Sequence, residues 1–411
     1  MAADMRRAGE VLLFVVDAGG GHRAAARALL AAAEETGFPL RLRAVSLQEV
    51  LAPQDVLKRF FGLSIEDFYN LLLRRRFTVL LEPLLRLLHR LIALRRRALV
   101  RGLVPFLRDA APRAVVSVIP NFNGVIRDAL REAVPGAPFL VLLTDLADLP
   151  PHFWIEPGVD GVIVGTDEAA LQARALGLPE ERIHRVSGMP LHPRFYAGPG
   201  NGGDVRARVR SELGVPAGAF TAMLLFGGKG SAEIESLTRD LLGADQALHV
   251  IAVCGDNPRL LEGLRPLGAA ARGRLHALGF TDRIADYMAA SDVLVTKPGP
   301  GSLAEAFQKG LPVVVAENRD TIPMERFNAR FVAEKGLGTV VGAWSEAPAA
   351  VVALARDGDR RAQVARNLRE LPANRAVYEA LRIVEAAAAS GAEPAPAPKP
   401  VITSPASPRC L

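Results

Sequence analysis

Ser291-Asp292-Val293-Leu294-Val295-Thr296-Lys297-Pro298-Gly299-Pro300-Gly301-Ser302-Leu303-Ala304-Glu305-Ala306 is the stretch on which the fold turns. Val293, Leu294 and Val295 form an apolar, β-branched-rich run of the kind buried in a parallel sheet. Gly299 and Gly301 supply backbone freedom for a sharp turn, and Pro298 and Pro300 stiffen it. Ser302 is placed to cap a helix running from Leu303 to Lys309 and closing at Gly310. A Gly-rich loop at a helix N-terminus aims backbone N–H groups and a positive dipole end at an anion, most often a phosphate. Glu305 lies one turn in, within reach of sugar hydroxyls beside that phosphate. The alternative is a strand–turn–helix corner that binds nothing.

The chain has 411 residues, more than one ordinary domain holds, so two domains are expected. Half the residues are hydrophobic, enough for full cores. Cys254 and Cys410 are far apart, which argues against a disulfide scaffold and against a cysteine metal site; no metal is expected. The apolar run Val11–Val16 stops at Asp17, too short for a signal-peptide core, and no uncharged apolar stretch is long enough to span a bilayer. A cytoplasmic protein is therefore expected. The net charge of +6 is modest, so its distribution matters more than its total.

Val11–Val16 reads as the first strand, Asp17–Arg23 as a second Gly-rich turn, Ala24–Thr36 as a helix closed by Gly37, and Leu40–Val45 as the second strand. This is the βαβ opening of an α/β sheet. Gly19-Gly20-Gly21-His22-Arg23-Ala24 also fits the G-x-G-x-x-A dinucleotide pattern, but the second strand ends in Ala44-Val45-Ser46, without the acidic residue that grips a ribose. His22 has no place in that fingerprint, so another use is expected for it.

Leu51–Asp109 is rich in leucine and arginine. Leu80, Leu84, Leu87, Leu88, Leu91 and Leu94 recur at helical spacing, with Arg86, Arg90, Ala93 and Arg97 on the other side. From Arg74 on, only Glu82 and Asp109 offset the arginines. A basic amphipathic surface resting on an anionic membrane is one reading; a helix packed on its own domain with solvated arginines is the other. Interleaved aromatics are few, which speaks against nucleic acid.

The alternation then resumes with strands at Ala114–Ile119, Phe139–Leu143 and Gly161–Val164, and a short edge piece at Arg185–Val186. Asp17, Asp145 and Thr166-Asp167 fall at strand C-terminal ends, where open α/β sheets bind ligands; each also fits a helix cap or turn. A turn-rich linker at 198–203 divides the chain. A first domain over 1–198 and a second over 204–375 are followed by a helix over 376–389 and a Pro/Ala-rich tail over 390–411 that forms no core. In the second domain, strand Thr221–Phe226 runs into Gly227-Gly228-Lys229-Gly230-Ser231, another candidate anion loop. Strands His249–Cys254, Leu275–Phe280 and Pro312–Val315 complete the pattern. The fold class is α/β: two Rossmann-like domains facing each other across a cleft.

Several stretches resemble, in the same order, the monogalactosyldiacylglycerol synthase and diacylglycerol glucosyltransferase family, relatives of the MurG-type transferases with the GT-B fold. They are Asp17–Ala24, Leu143–Leu146 followed by His152-Phe153-Trp154, Ser187–Leu191, Phe226–Gly230, Val253–Asn257, Leu278–Asp282 and Thr296–Ala306. The resemblance covers roughly residues 10 to 340. It implies an inverting glycosyltransferase that moves a sugar from a UDP-sugar to a membrane lipid hydroxyl, diacylglycerol foremost, with no cofactor beyond the donor. The protein would sit peripherally on the inner face of the cell membrane, through the first domain's Leu51–Asp109.

By the same resemblance His22 is the base, with a ring pKa suited to neutral pH, and Asp17 holds its imidazole or Asp145 shares its role. Gly299, Pro300, Gly301 and Ser302, with Lys297, stabilise the departing diphosphate. Gly227, Gly228 and Lys229 complete the donor side. Glu305 resembles the ribose ligand, Phe280 and Thr281 would lie near the uracil, and Glu325 and Asn328 resemble sugar and diphosphate contacts. Three positions depart from the family: Lys229 replaces an acidic or neutral residue, Met324 a glutamine, and Ile119-Pro120 a His-Pro. Two other functions share this fold: a UDP-sugar epimerase, which needs no acceptor, and an inactive membrane-binding relative.

Overall fold

The computed structural model describes residues 9–16, 21–52, 78–149, 153–196, 204–228 and 230–390. The linker at 198–203, the tail from 391, residues 53–77 of the basic segment, Asp17 and Lys229 lie outside the described residues.

Two parallel six-stranded sheets organise the chain. The first contains β1 (Glu10–Val15), β2 (Arg41–Ser46), β3 (Ala114–Ser117), β4 (Phe139–Leu142), β5 (Gly161–Val164) and β6 (Ile183–Arg185), in the order β2-β1-β3-β4-β5-β6. The second contains β7 (Thr221–Leu225), β8 (His249–Val253), β9 (Leu275–Leu278), β10 (Val293–Val295), β11 (Val313–Ala316) and β12 (Gly338–Val341), in the order β12-β11-β10-β7-β8-β9. The central strands read as nearly unbroken apolar runs because both their faces are covered. Met223, Leu225, Leu294, Val313 and Val315 point into one core of the second sheet. Their chain neighbours Ala222, Leu224, Val293, Val295 and Val314 point into the other, as the two-residue period of a strand requires.

Strand order reverses once in each sheet, between β1 and β3 and between β7 and β10. At such a switch point the crossovers leave in opposite directions, and a crevice opens beyond the strand C-termini. In the second sheet the Thr296 hydroxyl donates to the Leu225 carbonyl at 2.6 Å, tying the two diverging loops together at their roots.

Five helices bear on function: α1 (Gly21–Thr36), α2 (Thr78–Ala110), α3 (Pro300–Gln308), α4 (Pro323–Glu334) and α5 (Ala376–Ser390). Some boundaries differ from expectation. Helix α1 begins three residues early, which puts His22 in its first turn. Helix α3 begins at Pro300 with Gly299 as its cap residue, so Ser302 sits inside the first turn and caps nothing. Proline at the first helical position loses no hydrogen bond, and its fixed φ already suits the helix. Strand β6 starts at Ile183, and β9 stops at Leu278, short of Phe280. The last helix crosses back: Val377, Leu381 and Val384 of α5 pack into the core of the first sheet.

Helix α2 carries two apolar stripes. Leu85, Ile92, Val100, Leu103 and Leu107 are buried. Leu87, Leu91 and Leu94, from the stripe picked out by periodicity, are exposed by 50%, 47% and 79%. The helix therefore packs on its domain through one stripe and presents the other to solvent. Arg96 is part of the packing rather than of the basic surface: it pairs with Asp128 at 2.6 Å and donates to the Gly124 carbonyl.

The loops after β7 and β8 touch backbone to backbone. Gly255 has φ +59, and a Cβ there would lie 2.2 Å from the Gly228 carbonyl oxygen, which itself accepts the Asp256 N–H at 2.8 Å. Gly255→Ala is expected to cost at least about 2 kcal/mol, from left-handed backbone strain plus overpacking. Urea unfolding of the variant beside the parent measures it.

Candidate active site

The first crevice is built by the ends of β1, β3 and β4. His22 comes up in the first turn of α1, and its Nδ1 lies 3.1 Å from the Thr144 hydroxyl. Its ring packs against Trp154, centroids 5.6 Å apart. Burial pushes the imidazole down to about 4, against a hydrogen bond with the Val118 backbone that favours the charged form. At neutral pH the ring is thus uncharged, one nitrogen donating to Val118 and the other keeping a lone pair.

Asp145 accepts from the Trp154 indole N–H at 2.9 Å. Burial raises its carboxyl to about 6, with Glu325 and Asp148 adding like-charge repulsion and the indole opposing. Glu325 belongs to the second domain, so the two crevices face each other closely enough to interact.

Trp154 is 1% exposed and is held from behind. Asp148 accepts the backbone N–H groups of Phe153 and Trp154, each at 2.9 Å, and of Ile155 at 3.2 Å. Asn123 donates to the Trp154 carbonyl at 2.7 Å.

The second crevice is built by the ends of β7 and β10. Gly299 turns the chain, its N–H bonded to the Lys297 carbonyl at 2.7 Å. The Asn328 side chain, from α4, donates to the Pro298 carbonyl at 2.8 Å and braces the loop. The first-turn N–H groups of α3, at Gly301 and Ser302, have no acceptor within their own helix and face outward with the positive dipole end. Lys297 pairs with Glu325 at 3.1 Å. Glu305 is raised to about 7 by burial, with Arg194 opposing.

The structure thus brings His22 and Asp145 together on one side, and Lys297, Gly299, Pro300, Gly301, Ser302, Glu325 and Asn328 on the other. Gly227, at φ +76, and Gly228 sit at the end of β7 on the same crevice. Phe280 is 73% exposed, and Thr281 accepts the Arg283 N–H. Both follow β9 at the sheet's far edge, and no described contact joins them to the Lys297–Ser302 loop. Sequence reasoning assigned no role to Thr144, Trp154 or Asp148. Trp154 and Thr144 were visible only as motif members; Trp154 is one of only two tryptophans in the chain.

This is the GT-B arrangement, two parallel sheets with facing switch-point crevices. MurG of Acinetobacter baumannii shares it, with a TM-score of 0.58 and 13% identity, over 92% of this chain and 99% of that one. Residues 223–375 match the glycosyltransferase family 28 C-terminal domain. The chain is 29% identical to monogalactosyldiacylglycerol synthase 1 of Arabidopsis thaliana, over 80% of this chain and 61% of that protein. It is 23% identical to the processive diacylglycerol beta-glucosyltransferase of Bacillus pumilus, over 88% and 91%. It is a homologue of these two groups of enzymes and spans about three fifths of the length of the Arabidopsis thaliana synthase 1.

A carboxyl with a raised folded pKa destabilises the protein once the pH climbs through its unfolded value towards the raised one. Asp145→Asn removes that cost. The variant is expected to be more stable than the parent by about 1 kcal/mol at pH 8, allowing for partial solvent screening, with the gain vanishing as the pH falls towards 4. Thermal melts across this range check it.

Proposed function

We propose that the protein is an inverting glycosyltransferase that moves a sugar from a UDP-sugar to the hydroxyl of a membrane lipid, with diacylglycerol as the foremost acceptor. The observation that carries this reading is that Asp145 and Glu325, from opposite domains, sit within electrostatic reach of each other. An acceptor-side base and a donor-side anion loop therefore converge on one place. The homology to diacylglycerol glycosyltransferases supports the class of reaction.

The acceptor hydroxyl gives its proton to the unprotonated ring nitrogen of His22 as its oxygen attacks the anomeric carbon. Asp145, ionised above about 6, stabilises the imidazolium that forms. UDP leaves from the opposite face. Its growing charge is met by Lys297 and by the N–H groups of Gly301 and Ser302, which need no reorganisation to receive it. Glu305 holds the ribose hydroxyls, and Asn328 keeps the loop in shape. Because burial makes His22 a weak base, it needs such a carboxylate partner; Asp17, which precedes it in the sequence, is the second candidate for that role.

The exposed stripe Leu87, Leu91 and Leu94 lies beside exposed Arg90, Arg95 and Arg97. Apolar side chains flanked by arginines suit the headgroup region of an anionic leaflet. Among the described residues no helix is long and apolar enough to cross a membrane, so docking is peripheral in this reading. An epimerase has no use for such a face.

His22→Ala is expected to lower lipid glycosylation at least about a hundredfold while UDP binding, measured by calorimetry, stays within a factor of two or three. Near-parental turnover would remove His22 as the base. Parental activity should rise with pH through about 6, as Asp145 ionises. Sedimentation with phosphatidylglycerol vesicles checks the surface. Leu91→Glu with Leu94→Glu should weaken binding about tenfold or more, and added salt should weaken the parent. Binding indifferent to salt and to both substitutions would refute the assignment.

A further inference from the structure

Asp145 and His22 do not touch each other through any described hydrogen bond, yet both touch Trp154. The indole N–H reaches Asp145 Oδ2 at 2.9 Å, and the ring face meets the His22 ring at 5.6 Å. The indole cannot drift, because the Asp148 carboxylate grips three successive backbone N–H groups around it and Asn123 holds its carbonyl. A buried carboxylate that accepts from three successive backbone donors fixes a loop more firmly than apolar packing alone.

We propose that Trp154 is a positioning residue for the transfer reaction: one buried side chain, clamped by Asp148 and Asn123, sets the Asp145 carboxylate and the His22 imidazole at a fixed separation. This rests on the reading of His22 and Asp145 as the acceptor-side groups. Trp154 itself exchanges no proton with substrate. The groups facing Asp145 are Trp154, Asp148 and, across the cleft, Glu325, which is tied to Lys297. Those facing His22 are Thr144, the Val118 backbone and the Trp154 ring. Of these contacts the indole N–H alone favours the charged form of Asp145 directly. Removing it therefore raises the pH at which that carboxyl ionises.

The chain's other tryptophan, Trp344, packs edge-on against Phe226 in the second domain. In a Trp344→Phe background the emission of the full-length chain comes from Trp154 alone. Titrated from pH 4.5 to 8.5 without substrate, it is expected to show a transition near pH 6, as the indole's acceptor changes from carboxylic acid to carboxylate. Asp145→Asn should abolish the transition, and Glu325→Gln should move it lower. A flat titration, or one that survives Asp145→Asn, overturns the proposal, and neither outcome depends on any catalytic activity.

The second measurement is the pH profile of turnover with a UDP-sugar and diacylglycerol vesicles. Trp154→Phe keeps the ring and loses the N–H. The acid limb of its kcat is expected about one pH unit above the parent's, as a hydrogen bond to a charged group implies. An unmoved limb in Trp154→Phe, together with lost activity in Asp145→Asn, overturns the role of Trp154 and leaves the catalytic reading standing. An Asp145→Asn enzyme with the parental rate and profile overturns both.

Discussion

A parallel sheet whose strand order reverses leaves a gap that neither diverging crossover can cover. This protein has two such gaps, and everything chemical in it hangs on their facing each other. The gap in the first sheet takes up His22 because α1 begins at Gly21, which puts His22 in its first turn. The gap in the second takes up Lys297 to Ser302 because Thr296 fastens β10 to the end of β7 before the loops part. The strands do not themselves react. They hold His22 and the Lys297–Ser302 loop at opposite walls of one cleft, the places the proposed reaction gives to its base and its departing diphosphate.

Burial then sets the chemistry of each wall. Three groups that are charged or chargeable in water are moved off their ordinary values: His22 down to about 4, Asp145 up to about 6 and Glu305 up to about 7. Desolvation leads in every case, so all three shifts favour the uncharged form. In the proposed reaction such burial strengthens the electrostatics around a departing diphosphate, while it leaves the cleft's own carboxylates reluctant to ionise. The indole on Asp145 and Arg194 near Glu305 oppose these shifts. The same cleft joins the two domains through a small apolar cluster in which Leu85 and Phe153 meet Ile322 and Met324. Met324, which departs from the family's usual glutamine, packs there, directly before Glu325.

Much of this was legible in the sequence. Apolar runs located most strands to within a residue or two, and the 291–306 stretch located a strand, a tight turn and a helix start. The homology to diacylglycerol glycosyltransferases agrees with the resemblance carried by those motifs. What stayed hidden was what depends on packing between distant segments. The helix at 78–110 has two apolar stripes, and periodicity cannot say which one the core takes. The return of α5 to the first sheet leaves no local mark. Ser302 looked like a cap because caps are judged by residue type, whereas Pro300 decided where the helix starts. The Trp154–Asp145–His22 arrangement joins the segment between β4 and β5 to the first turn of α1, more than a hundred residues earlier, and no spacing rule links those two places.

The central claim is that the base and the leaving group occupy opposite walls, so that attack and departure lie on opposite faces of the sugar. The measurement that tests it most directly is the anomeric configuration of the glycolipid made from an α-linked UDP-sugar, read from the H1–H2 coupling in its proton NMR spectrum. A β-glycoside is the predicted product. An α-glycoside would contradict the account, since retention needs a second displacement or same-face attack, for which the placement of His22 opposite the Lys297–Ser302 loop makes no provision.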